Sequence, residues 1–144
     1  MSTVDKLLKE KGSNAWSIDP EATVFRALEL MLEKDVGGLL VVEEGKLIGI
    51  FTERDYARKL ILKGRFSKDT CVRDLMTKNV LYVEPKNTVE DCMRLMTTKR
   101  VRHLPVLQDG KILGIVTIGD VVKRIISEQE FTIHQLENYI SGGY

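Results

Sequence analysis

The chain contains the same segment twice. Residues 16–61 align with residues 81–126 at a constant offset of 65 positions without a gap, and 16 of the 46 aligned pairs are identical. Composition alone would give roughly three identities. The pattern Gly-Ile-x-Thr-x-x-Asp occurs at residues 49–55 and again at 114–120. Two copies of one supersecondary unit are expected to enclose a cleft and to line it twice with the same positions. The duplication therefore favours a binding protein over a single asymmetric active centre.

The composition fits one ordinary globular domain. The chain has 144 residues, of which 43% are hydrophobic and 30% are charged, and this length is enough to bury a core without covalent staples. The formal net charge of +1 gives no support to a nucleic-acid binder, which needs a strongly basic face. Two cysteines, Cys71 and Cys92, are too few for a disulfide framework and predict reduced thiols.

Targeting and membrane segments are not apparent in the sequence. The N-terminal residues lack a hydrophobic run of signal-peptide length, and no segment approaches the length of a membrane span. We therefore expect a cytoplasmic protein that makes no membrane contact.

Each repeat predicts the element order β-α-β-β-α. A short extended segment closed by Asp-Pro or Glu-Pro precedes a helix that is capped by Thr23 or Thr88. Two strands follow, joined by Glu-Gly or Asp-Gly, which are hairpin signals. A second helix begins at Thr52 or Thr117 and is expected to end near residue 61 or 126. The predicted hairpin strands are residues 39–43, 46–51, 104–108 and 111–116.

The fold class expected from this order is α/β, in its α+β form, with two pseudo-twofold related units in one module. A lead-in helix is predicted within residues 1–14, and a C-terminal helix and tail within residues 128–144. The first unit is predicted at residues 15–62, the linker at 63–76 and the second unit at 77–127.

The duplicated Thr-x-x-Asp has two compatible interpretations. Thr52 with Asp55, like Thr117 with Asp120, fits a capping box that satisfies backbone N–H groups at a helix start. The same strand-to-helix turn offers N–H groups and the positive end of the helix dipole to an anion. The aspartate adds two acceptor oxygens, which suit a pair of ribose hydroxyls.

The two repeats differ where they enter the central strand. Arg102 and His103 stand in the second copy where Gly37 and Gly38 stand in the first. Arginine there suits a phosphate, with solvated surface positions as the alternative, and the glycines leave backbone that a ligand can approach closely. Arg54, inside the duplicated turn, is a further phosphate candidate.

The remaining candidates have simpler interpretations. Arg58 and Lys59 are interpreted as a solvated helix face. Trp16, the single tryptophan, is expected in the core, with a place beside a base as the alternative. The sequence contains no nucleophile elbow, no P-loop and no metal-ligand spacing of histidine and cysteine. We therefore predict a protein that is not an enzyme, with no metal site and no catalytic cofactor.

These motifs together resemble the cystathionine-β-synthase (CBS) domain family. The matching features are the element order, Leu-Pro-Val at residues 104–106, the repeated Gly-Ile-x-Thr-x-x-Asp, and Val-Arg-Asp-Leu-Met-Thr at residues 72–77. Similar proteins pair their two copies into one module and bind adenosine-containing ligands in the clefts between them. The ligands that the resemblance implies are AMP or NAD(H), with ADP, ATP and S-adenosylmethionine as further candidates. Two such modules commonly associate into a dimer.

The resemblance implies two clefts, here named after their aspartates. The Asp55 cleft has no Arg-His pair from its own repeat, so it is expected to hold phosphate differently or to stay empty. The Asp120 cleft has Gly119 where the other turn has Arg54. In the Asp120 cleft the implied ligand contacts are Asp120 to ribose, Thr117, Arg102 and His103 towards phosphate, and Val36, Gly37 and Trp16 around the base. In the Asp55 cleft they are Asp55 to ribose, Thr52 and Arg54 near phosphate, and Val101, Arg102, Lys78 and Asn79 around the base.

We therefore predict a stand-alone, non-catalytic sensor of adenine nucleotides that reports energy or redox state. The alternatives are an interaction module with vestigial clefts, or a nucleic-acid binder, for which Lys99 and Arg100 give thin support. Consecutive apolar residues occur at 60–62, 121–122 and 125–126. They cover more of the helix surface than the one apolar stripe that packs on its own core, so we predict that the remainder is buried in a homodimer. The tail at residues 131–144 is expected to join that interface or to fold over its own subunit.

Overall fold

Two small sheets, one from each repeat, form the frame of the protein. The computed structural model describes residues 2–12 and 14–140. The first sheet has three strands, in which β1 pairs parallel with β2, and β2 pairs antiparallel with β3. In the second sheet β4 and β5 are antiparallel, and a parallel bridge between Val83 and Val106 replaces the third strand. The strands are β1 (Ser17–Ile18), β2 (Gly38–Glu43), β3 (Lys46–Thr52), β4 (His103–Gln108) and β5 (Lys111–Thr117).

The helices follow the predicted order in both repeats, and the α+β fold class is confirmed. In the first repeat α3 continues as a π-helical turn (Tyr56–Leu60) and a 3-10 turn (Ile61–Lys63). In the second repeat the predicted helix end near residue 126 is wrong, because no glycine or proline interrupts the chain between Gly119 and Ile140. The last four residues of the predicted C-terminal tail, 141–144, lie outside the described residues. The helices are α1 (Val4–Lys11), α2 (Val24–Lys34), α3 (Glu53–Asp55), α4 (Val72–Leu75), α5 (Val89–Lys99) and α6 (Ile118–Ile140).

Both hairpins close in the same way. Glu44 and Gly45 have φ angles of 51° and 78°, and Asp109 and Gly110 have 52° and 78°. Positive φ at both central residues is the backbone of a type I′ turn, whose twist matches the flanking strands. The predicted hairpins are therefore confirmed in both copies.

Helices α1 and α4 are the lead-in helices, since they precede the first and the second repeat. Helix α1 packs against the second repeat, and α4 packs against the first. Val4 and Leu7 of α1 are buried in a core with Leu104 of the second repeat. Val72 and Leu75 of α4 are buried in a separate core with the first repeat. This exchange ties the two repeats together and gives each core a wall from the other half of the chain.

The backbone contacts of the two lead-in helices are equivalent at their start and differ at their end. Val89 N–H donates to Ser2 O at 3.0 Å, as Val24 N–H donates to Thr70 O at 2.8 Å. After α4, however, the chain turns extended and Thr77 exchanges two backbone hydrogen bonds with Ile50. Helix α1 runs on to Lys11 instead. Lys11 at the end of α1 therefore lies beside the second repeat, in the position that the extended Thr77 segment has beside the first.

The close approach of the Thr77 segment requires a glycine in β3. A Cβ built on Gly49 would lie 2.6 Å from Met76 Sδ and 3.0 Å from Thr77 O. Contacts that short do not occur for real side chains, so the repeated Gly-Ile has a packing role here.

The two cysteines are free thiols. Cys92 is fully buried in the second core, and this burial raises the pKa of its thiol to about 11. The prediction of reduced cysteines agrees with this arrangement.

Candidate functional site

A cavity of about 540 Å³ lies between the two repeats at the turn from β3 into α3. This volume lies within the range of small-molecule sites. The first repeat contributes Gly37, Thr52 and Asp55 to its wall, and the second repeat contributes Val101 and His103. A molecule bound here would contact both copies of the repeated unit.

The turn at the cavity is a capping box, as the sequence predicts. Thr52 N–H donates to Asp55 Oδ2 at 3.0 Å, and Asp55 N–H donates to Thr52 Oγ1 at 3.3 Å. The capping fixes the carboxylate at the cavity wall, so capping and exposure to a ligand occur together.

The Asp55 carboxylate is 7% exposed and receives three further donors. The hydroxyls of Thr52 and Thr77 donate to it at 3.2 and 3.0 Å. Lys59 Nζ lies 2.9 Å from Oδ1 and also donates to Leu75 O. Lys59 is not part of the cavity wall, so its charge supports Asp55 from outside the cleft. The prediction that Lys59 lies on a solvated face holds in part, since its side chain is 37% exposed but pairs with Asp55.

Four guanidinium groups make the cavity electropositive. Arg54 and Arg58 come from the first repeat, and Arg100 and Arg102 from the second. The carboxylates of the cavity wall come from two residues, Asp55 and Glu53, so positive charge is in excess. Arg54 Nη1 donates to Arg100 O at 2.7 Å and links the repeats across the cleft. The arrangement suits an anion with more than one charged group.

His103 lies beside the glycine pair of the first repeat. A Cβ on Gly38 would lie 3.2 Å from His103 Cδ2 and 3.3 Å from Thr52 Cγ2. Burial lowers the pKa of His103, against the opposing effect of Glu53, so the imidazole is neutral at pH 7. It can donate one hydrogen bond to a ligand or accept one.

Asp120 has the same cap as Asp55 and is paired with Lys11. Thr117 N–H donates to Asp120 Oδ2 at 2.9 Å. Lys11 Nζ donates to the same oxygen at 2.5 Å and to Ile115 O at 2.8 Å. Burial opposes the charge of Asp120, but the Lys11 ammonium and the Thr117 amide outweigh it and hold the pKa of Asp120 below its ordinary value. The carboxylate is thus ionised and paired within the chain.

The structure brings together most of the residues predicted for the Asp55 cleft. Lys78 and Asn79 are exposed and lie outside its wall. Arg58 is exposed, as predicted, and it also lines the cavity. Its position one turn after Arg54 was the available signal, since residues four apart share a helix face. The residues predicted for this cleft that line it are Thr52, Arg54, Asp55, Val101 and Arg102. Gly37 and His103 also line it, although they were predicted for the Asp120 cleft.

Two of the residues predicted around a base in the Asp120 cleft have other partners in the structure. Val36 packs against the core of the first repeat. Trp16 is 37% exposed, and Lys34 Nζ lies 4.3 Å from its ring centroid. The core prediction for Trp16 is therefore wrong, because it precedes a two-residue strand at the edge of its sheet and a lysine covers its ring.

Within residues 2–12 and 14–140, no group of three or more His, Cys, Asp or Glu side chains is arranged to hold a metal ion. The helices of this described part include none that is long and apolar enough to cross a membrane.

The sequence and fold were compared with known proteins. The model of the CBS domain family matches residues 12–62 and 72–127, which make up most of the chain. The chain belongs to the CBS domain family. This CBS domain protein is 41% identical over 153 residues to the CBS domain-containing protein CBSX3, mitochondrial, of Arabidopsis thaliana, with 99% of this chain and 74% of the relative covered.

Solved structures of CBS domain proteins share the fold. The CBS domain NE2398 superposes with a TM-score of 0.84 at 50% identity, with 87% of this chain and 98% of that chain covered. CBSX2 in complex with AMP superposes with a TM-score of 0.70 at 32% identity, with 90% of this chain and 99% of that chain covered. The tandem CBS pair predicted from the repeat is confirmed.

Proposed function

We propose that this CBS pair is a non-catalytic nucleotide sensor that binds an adenosine-containing ligand in the Asp55 cleft. The observation that carries the proposal is a cavity between the repeats that combines a buried carboxylate with four guanidinium groups. The likeness to CBSX2 in complex with AMP supports the same ligand class.

Asp55 is the proposed contact for the ribose. Its oxygens accept from the hydroxyls of Thr52 and Thr77, and two ribose hydroxyls can replace these neutral donors like for like. The backbone cap and Lys59 hold the carboxylate in place during that exchange.

The arginines are the proposed contacts for phosphate. Arg54, Arg58, Arg100 and Arg102 supply more positive charge than one phosphate needs, so we propose that ADP, ATP and NAD(H) bind more tightly than AMP. S-adenosylmethionine carries a sulfonium cation and is expected to bind most weakly. Ile50 and Val101 are the apolar residues of the wall and the proposed neighbours of the base.

A nucleotide panel tests this proposal directly. Every ligand is added at the same concentration, about 100 times the dissociation constant of the tightest one, which should then stabilise the folded chain by roughly 2.7 kcal/mol. Thermal unfolding should therefore shift upwards with ATP and ADP, less with AMP and least with S-adenosylmethionine. A ligand-free preparation, checked by intact mass spectrometry, is the starting material. The absence of a shift for every member would support vestigial clefts, and a shift with single-stranded DNA or RNA alone would support the nucleic-acid alternative.

The sensor role follows from the position of the cavity. Asp55 lies in the first repeat and Arg102 in the second, so a ligand bridges the two units. It can shift their relative arrangement only by its difference in affinity for the two arrangements. The proposed output is that shift, read by a partner or by a second copy of the chain.

Binding of phosphate should be linked to proton uptake at His103. The imidazole is neutral in the free protein because burial lowers its pKa, and a phosphate beside it would raise that pKa. Affinity for ATP should therefore increase as the pH falls from 8 towards 6. Calorimetry in two buffers of different ionisation enthalpy should show fractional proton uptake at pH 6.5, and His103→Gln should remove it. Equal heats in both buffers for the unaltered chain would place the phosphate away from His103.

We also propose that the chain is a homodimer. Its interface would be the α6 stripe, defined here as Val122, Ile126, Gln129, Ile133, Leu136 and Ile140. All six residues are exposed and follow one another at spacings of four and three, which is the repeat of a helix that packs along another helix. The tail does not fold over its own subunit within the described residues, since Leu136 is 56% exposed. The cytoplasmic location stays a prediction.

A further inference from the structure

The Asp120 cleft contains a donor from the chain itself, the ammonium group of Lys11. Lys11 Nζ binds both Asp120 Oδ2 and Ile115 O. The repeat relates these two residues to Asp55 and Ile50, and both of the latter line the open cavity. The Lys11 ammonium therefore lies between the two positions that face a ligand in the other cleft.

The two aspartates differ in what a ribose would have to displace. Asp55 also pairs with an ammonium, that of Lys59, but Lys59 is not part of the cavity wall. The donors that a ribose would displace at Asp55 are the neutral hydroxyls of Thr52 and Thr77. At Asp120 the donor is a charged ammonium, and a charge-assisted hydrogen bond is roughly twice as strong as a neutral one. The side chains of Lys11 and Asp120 are 26% and 23% exposed, so water screens their attraction incompletely. A neutral diol cannot compensate for the loss of this pair.

Helix α1 is fixed to the second repeat by its buried apolar residues and by an ion pair of Glu10, the residue before Lys11. Val4 and Leu7 are buried in the core, so the body of the helix cannot leave without exposing apolar surface. The carboxylate of Glu10 accepts from Arg124 on α6. Since Asp120 and Arg124 are one turn apart, two successive residues of α1 bind two successive turns of α6.

We propose that Lys11 is an internal occupant of the Asp120 cleft and holds the chain to one bound nucleotide. The inference rests on the proposed function of the Asp55 cleft. It adds to the sequence differences between the two repeats a further difference that comes from the lead-in helix, which lies outside the repeated segment.

Stoichiometry measured by titration calorimetry with ATP tests the inference. The unaltered chain should bind one ATP, and Lys11→Ala should bind two, because alanine removes the ammonium and leaves room beside Asp120 while preserving the helix. Lys9→Ala is the matched control on the same helix, since Lys9 is exposed and pairs with Asp5, and it should still bind one. Adding Asp120→Ala to Lys11→Ala should return the value to one.

The outcomes separate this inference from the proposal on which it rests. Two ATP molecules on the unaltered chain, or one on Lys11→Ala with unchanged affinity, would overturn the role of Lys11 and leave the Asp55 cleft in place. A loss of ATP affinity in Lys11→Ala would make Lys11 a ligand contact, which also overturns its role as an occupant. No binding by either chain would overturn the proposed function itself. Retained binding at the Asp55 cleft shows that the variant is folded.

Discussion

Asp55→Ala should remove most of the affinity for adenine nucleotides, whereas Asp120→Ala should leave that affinity unchanged. The proposed ribose contact consists of two hydrogen bonds to a carboxylate, each worth roughly 1.5–3 kcal/mol. Their loss corresponds to about a hundredfold to ten-thousandfold weaker binding. Asp120 has no such contact to lose, because its carboxylate is paired with Lys11.

The two variants form a matched pair because both aspartates close the same capping box. Asp55 accepts from the amide of Thr52, and Asp120 accepts from the amide of Thr117. Each alanine variant should therefore lose about 1 kcal/mol of folding stability from the cap. Any difference in nucleotide affinity between them cannot come from the cap.

Calorimetry with ATP on both folded variants, with thermal unfolding followed by circular dichroism, decides the matter. Equal affinities of Asp55→Ala and the unaltered chain would leave Asp55 with a capping role alone. A loss confined to Asp120→Ala would move the nucleotide to the other cleft and contradict the proposed role of Lys11 as well.

The fold was predictable because each signal is local and occurs twice. Thr23 and Thr88 cap helices, and Glu-Gly and Asp-Gly close hairpins, through contacts that span a few residues. The duplication then raises the value of each weak signal, since one interpretation must hold for both copies. The same logic predicted the capping of Asp55 and Asp120.

The pairing of Lys11 with Asp120 could not be predicted, because Lys11 lies outside the repeated segment. The differences inside the repeat led instead to the expectation that the Asp55 cleft holds phosphate differently or stays empty, the reverse of the occupancy proposed here. The hydrogen bond from Lys11 to Asp120 joins residues 109 positions apart. Nothing in the pattern of residues 3–11 shows that this helix packs on the second repeat. The position of Lys11 depends on α1 being longer than α4, which only the packed structure shows.

The place of Arg58 in the cavity wall could not be predicted for a related physical reason. A charged helix face is solvated or functional according to what lies opposite, and Arg100 of the other repeat lies across the same cavity. The failure at Trp16 is the converse. Its size predicts burial, but at the edge of a small sheet only one side of the Trp16 ring is covered.

Ile133→Glu in the α6 stripe should convert a homodimer into a monomer. Ile133 is 55% exposed in the single chain, so a charge there costs the fold little. In a twofold interface two glutamates would be brought together, and juxtaposed like charges cost several kcal/mol, or at least about a hundredfold in the dimer dissociation constant. Light scattering at micromolar concentration should give twice 16.4 kDa for the unaltered chain and 16.4 kDa for the variant.

Gln135→Glu provides the control for that substitution. It introduces the same charge two residues along α6, at an exposed position outside the stripe, and it should leave the dimer intact. Ile61→Glu examines whether the interface includes the first repeat, where Ile61 is 55% exposed. A dimer that survives both Ile126→Glu and Ile133→Glu would show that the α6 stripe is not the interface, and a mass of 16.4 kDa for the unaltered chain would show that no dimer forms. If Ile61→Glu alone dissociates the dimer, the second copy docks on the first repeat, and the long helix remains available to a different partner.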